Sequence, residues 1–67
     1  MALTERFEAL EQQGWRYIYD GRGFFSGIWR NEALDCWLNE CGGSFQTITS
    51  AVQAAERFIS ALAECTR

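Results

Sequence analysis

The sequence predicts a small α+β domain of order α-β-β-β-α, with a three-stranded antiparallel sheet that carries both helices on one face. Two observations lead there. Near the C-terminus Ile48, Ala51, Val52, Ala55, Phe58, Ile59 and Leu62 recur at helical spacing. Between residues 15 and 30, aromatic and β-branched residues run in two stretches broken by glycines, the signature of a hairpin. With 67 residues and 48% of them hydrophobic, residues 1–67 make one domain with room for a single core.

The first helix is expected over about 4–13. Leu3, Phe7 and Leu10 lie on one side, Glu5, Glu8 and Glu11 lie outside, and Thr4 is the candidate cap. Gly14 supplies the stop, because a glycine accepts the left-handed backbone that ends a helix. The hairpin follows, Trp15–Asp20 against Phe24–Arg30, with Gly21-Arg22 read as a two-residue type II′ loop. Residues 31–41 allow two readings. Asn31 followed by Leu34, Trp37, Leu38 and Cys41 fits a short helix over 32–41, ended by Gly42. Alternation of Leu34, Cys36 and Leu38 with Asp35, Trp37 and Asn39 fits a third strand. The last helix is expected over about 49–65, with Thr47 or Ser50 as its cap.

The strand reading is preferred because it sorts residues by face. A Gly21-Arg22 loop sets Trp15 opposite Ile28, and an Asn31-Glu32 loop sets Trp29 opposite Leu34. One face then collects Ile18, Phe25, Gly27, Trp29, Leu34, Cys36 and Leu38, an apolar set suited to helices. From it follows an expected core of Phe25, Trp29, Leu38, Val52, Ala55, Phe58 and Leu62. The other face collects Trp15, Tyr17, Tyr19, Phe24, Arg30 and Trp37, open to solvent unless the 42–47 segment folds over it.

Composition narrows the chemistry. Histidine and lysine are absent, so a cysteine nucleophile has no imidazole base. Cys36 and Cys41 have no nearby histidine to complete a tetrahedral metal set. No enzymatic activity, metal or cofactor is expected. The three cysteines are odd in number, and the N-terminal residues lack the basic and apolar regions of a secretory signal. Reduced thiols in a cytoplasmic protein are the expectation, and no apolar run is long enough for a membrane span. A net charge of −3 argues against nucleic acid as the main partner. Locally, Arg16, Arg22 and Arg30 stand against Asp20 alone across residues 15–30.

The order of elements, with Gly43-Ser44-Phe45 leading into Ala51, Ala54 and Ala55, resembles the double-stranded-RNA-binding domain. Gln46, Thr47 and Thr49 stand where that family carries lysines. Strands followed by Thr47-Ile48-Thr49-Ser50-Ala51 are also similar to HicB-like antitoxin domains. In size and acidity the chain resembles small phage-encoded inhibitors of host defence, including anti-CRISPR proteins. The resemblances imply a binding module, with RNA-binding or antitoxin-type roles as alternatives. The expected function is therefore protein binding without catalysis, with homodimerisation a second use of the same surface. Tyr17, Tyr19, Arg22, Phe24, Arg30 and Trp37 are the candidate binding residues, since Tyr, Trp and Arg dominate interface hot spots.

Overall fold

The computed structural model describes residues 2–40 and 43–65. Its elements are α1 (Leu3–Gln12), β1 (Trp15–Tyr19), β2 (Gly27–Asn31), β3 (Cys36–Leu38) and α2 (Ile48–Cys65). The strands lie in the order β1-β2-β3, each pair antiparallel. Helix α1 contacts β1 and α2 contacts β2, and the two helices contact each other. The expected α-β-β-β-α order is the observed one, and residues 36–38 form a strand rather than part of a helix.

Helix α1 ends as its sequence requires. Gly14 adopts φ +98°, and its N–H donates to the Glu11 carbonyl at 3.1 Å, closing the last turn. Ala2, not Thr4, precedes the helix, and it supplies no side-chain cap. At the other helix Thr47 is the cap: its Oγ1 accepts the Ser50 N–H at 3.1 Å, satisfying one of the first-turn donors that no helix can satisfy itself.

The hairpin register differs from the expectation, and the difference exchanges the faces of β1. Trp15 pairs with Asn31 rather than Ile28, a displacement of three residues. An odd displacement sends every side chain of one strand to the opposite face. The cause is the loop, which runs from Asp20 to Ser26 instead of turning at Gly21-Arg22. Asp20 organises it. Its carboxylate accepts the Arg22 N–H at 2.9 Å and the Ser26 hydroxyl at 3.0 Å. Its own N–H donates to the Ser26 carbonyl at 3.0 Å. A hydrogen bond from Ser44, then those from the Arg22 N–H and the Ser26 hydroxyl, hold its carboxyl below the usual range.

Strand β3 is displaced by four residues from the expected register, Trp29 facing Leu38 instead of Leu34. An even displacement keeps the faces, so Cys36 and Leu38 still meet the core. The turn Glu32–Asp35 accounts for it. Asn31 Oδ1 accepts the Leu34 N–H at 3.1 Å, and Asp35 takes φ +50°, a conformation that Asp tolerates better than most residues.

The core therefore differs in part from the expected one. Leu10, Trp15, Trp29, Phe45, Ala51, Val52 and Ala55 are buried together. Phe58 and Leu38 flank them, whereas Phe25, Leu34 and Leu62 are exposed. Trp29 lies at the centre at 0% exposure, and its Nε1–H donates to the Ala51 carbonyl at 2.8 Å. Its ring sits 5.1 Å from Phe7, 5.0 Å from Tyr17 and 6.3 Å from Trp15, within the range of favourable aromatic contacts. Phe45 reaches this core because its backbone pairs with Gly27, N–H to carbonyl at 2.8 Å and carbonyl from N–H at 3.1 Å. Phe45 thus adds to the helix-covered side, and Ile18 and Trp37 stay exposed on the other face. Gly27 is required by its neighbours: a Cβ there would lie 2.4 Å from the Ile18 carbonyl oxygen. The close approach is by the neighbouring strand, not by a helix.

Candidate functional site

Two surfaces stand out. The first is the open face of the sheet. The register places Arg16, Arg30 and Trp37 in one row across the three strands, and Ile18 opposite Ile28 in the row beside it. Trp37 is 56% exposed and Ile18 41%. Both helices contact the opposite side, so these apolar groups face solvent.

Arg30 is held in this row by its neighbours. Its guanidinium lies 4.8 Å from the centroid of the Trp37 ring. It donates to the Cys36 carbonyl at 3.2 Å and to the Asp35 carboxylate at 3.1 Å. A guanidinium stacked on an indole is pre-organised and loses little freedom on binding. Arg16 lies directly opposite Arg30, a like-charge pair that is unfavourable across strands. Glu32 offsets it, 3.7 Å from Arg16 on a well-exposed surface.

The second surface is an apolar cleft of about 440 Å³ at the loop end of the molecule. Leu3 and Phe7 of α1, Tyr19 at the end of β1, Phe25 in the loop, and Ile48 of α2 form its walls, with threonines completing it. Tyr17 lies behind Tyr19, ring centroids 5.1 Å apart. The Tyr17 hydroxyl donates to the Phe25 carbonyl at 2.6 Å. Burial, with Tyr19 and Asp20 adding to it, pushes the Tyr17 phenol up from 10.0 to about 12.

The candidate binding residues, five expected on one face with Arg22 at the hairpin tip beside it, are consequently divided. Arg30 and Trp37 share the open face. Tyr17 and Tyr19 sit on the helix-covered side, Tyr17 half-buried and Tyr19 at the cleft wall. Arg22 and Phe24 belong to the loop, where Phe24 is 94% exposed. The displaced register separates them. Ile28 was expected on the open face and lies there, whereas Ile18 and Arg16 were not expected there, and alternation from a correct loop length would have found both.

Little else in the chain carries chemistry. No group of three or more His, Cys, Asp or Glu side chains that could hold a metal ion occurs among the described residues. Cys36 and Cys65 carry free thiols, and Cys41 lies outside the described residues. No described helix is long and apolar enough to cross a membrane. No protein-family model, no curated protein and no solved structure matches this chain.

Proposed function

We propose that the chain is a non-enzymatic protein-binding module that works through the open face of its sheet. One observation carries the proposal: Ile18 and Ile28 form an apolar row that neither helix covers, and Trp37 stands in the adjoining row with Arg16 and Arg30. Aromatic and Arg anchors on a rigid element are what interface hot spots are made of. The strands fix these side chains, so binding orders little that is not already ordered. The arginines suit a target with an acidic rim. Such a face also suits an inhibitor that acts by covering its target's surface, a role that needs no catalytic group.

Stacking of nucleotide bases on Trp37 is the second reading, favoured by the open sheet and the two arginines. The net charge of −3 and the acidic exterior of α1 weigh against it.

A photo-crosslinking residue at Ile28, compared with one at Glu11, tests the assignment in lysate of the source cells. The Ile28 probe is expected to capture a protein that the Glu11 probe does not. Trp37→Ala and Arg30→Ala should each weaken that capture, by about 1–4 kcal/mol of binding energy. Equal capture from both probes would refute the face. Loss of capture after nuclease treatment would favour nucleic acid.

A further inference from the structure

We infer that the loop end of the molecule is a self-docking surface, on which Phe24 of one copy fills the apolar cleft of a second copy and receives that copy's Phe24 in return. A two-fold dimer needs a surface that is complementary to itself. This end of the chain is. Phe24 is 94% exposed, a knob with no cover in its own chain. The residue beside it, Phe25, forms a wall of the 440 Å³ cleft. Knob and hole are therefore neighbours on one surface, as a closed pairing requires. The cleft is lined mainly by apolar groups and is larger than one aromatic ring needs.

Charge supports the same occupant. Arg22 precedes Phe24 by two residues, and its side chain makes no ion pair among the described residues. Its backbone N–H bonds Asp20, and its charge helps to hold that carboxyl down without a direct ion-pair contact. On the other side of the cleft Glu8 lies one helical turn beyond Thr4, a lining residue, and so on the same flank of α1. Glu8 likewise makes no ion pair among the described residues. A copy related by two-fold symmetry brings its Arg22 toward this Glu8 as its Phe24 enters the cleft, and the contact occurs twice. The open sheet face lacks this property. Pairing it with itself would bring the Arg16 and Arg30 rows of two copies together. The two surfaces thus suit different partners, a second copy at the loop end and an acidic target on the sheet.

Sedimentation of the full chain over roughly a hundredfold range of concentration reads the equilibrium directly. Wild type is expected to pass from monomer to dimer. Phe24→Ala, at an exposed position that leaves the circular dichroism unchanged, should raise the dissociation constant at least about tenfold, as loss of a buried aromatic anchor does. Arg22→Glu and Glu8→Arg should each weaken the dimer, and the two together should restore it. A wild type that stays monomeric throughout, or a Phe24→Ala chain that dimerises like wild type, would overturn the inference. So would a dimer abolished by Trp37→Ala, which would place the contact on the sheet. A persistent monomer that takes up a fluorescent apolar probe would assign the cleft to a small ligand instead.

Discussion

The two faces of the sheet hold similar residues and have opposite fates. The covered face presents Trp15, Tyr17, Trp29 and Leu38, and the open face presents Ile18, Ile28 and Trp37. What separates them is the company each keeps. The three large rings of the covered face each have a helix partner: Trp15 meets Phe58 edge-on at 5.7 Å, and Tyr17 and Trp29 both meet Phe7. On the open face the apolar groups alternate with arginines, and no helix lies above them. Hydrophobicity alone does not define a core. The residues that the helices can cover become the core, and those beside charges stay exposed.

The sharpest break in this comparison is at Trp29. Truncation to alanine removes the ring that Phe7, Tyr17 and Trp15 surround and leaves the Ala51 carbonyl without its donor. Trp29→Ala is expected to cost about 3–5 kcal/mol. A chain of this length has little more stability than that in reserve. Denaturant titration should therefore find the variant largely unfolded without denaturant. A cooperative transition near the wild-type midpoint would mean that the covered face is not the centre of the fold.

How far the sequence revealed these faces depended on loop length. Both helices were legible because their apolar residues repeat over many turns, and small errors at the ends change nothing. The strands were legible as strands. Their pairing was not, because it hung on how Asp20–Ser26 closes. Gly21-Arg22 has the composition of a two-residue turn, and only the bonds that Asp20 makes to Arg22 and Ser26 set the longer loop. Since side chains alternate, that one local choice moved Trp15 and Tyr17 to the core side and Ile18 to the open side. Trp37 and Arg30 kept their face because β3 was displaced by an even number. Phe45 was missed because a single bridge to Gly27, outside any regular strand, is what buries it.

Tyr17 gives a finer reading of the covered face. Its phenol lies at about 12 in the folded chain against 10.0 when free. Between these values the folded state keeps a proton that the unfolded chain has lost. Stability is therefore full below pH 10 and falls as pH rises toward 12. Part of the ring meets solvent, so the loss is on the order of 1 kcal/mol. Urea midpoints at neutral pH and at about pH 11 should differ for wild type, and Tyr17→Phe should reduce the difference. An unchanged wild-type midpoint would show that Tyr17 is as accessible as an open-face residue.

The smallest expected effect belongs to Ile18 and tests the open face from the other direction. Its neighbour across the strand is Ile28, and 41% of its surface meets solvent. Ile18→Thr keeps the β-branched shape that a strand favours and exchanges a methyl-bearing carbon for a hydroxyl that water can satisfy. The loss is limited to one cross-strand contact, so stability should fall by only about 0.5 kcal/mol. Partner binding should weaken more than stability does, because a target would desolvate the new hydroxyl without offering it a bond. The ratio of the two effects is the informative quantity. If Ile18→Thr approached the cost of Trp29→Ala in a denaturant titration, Ile18 would be covered in solution, and the two faces would not differ in the way their residues suggest. A small loss of stability with a clear loss of binding would instead show that an apolar group can be held at the surface by the sheet and used only when a partner arrives.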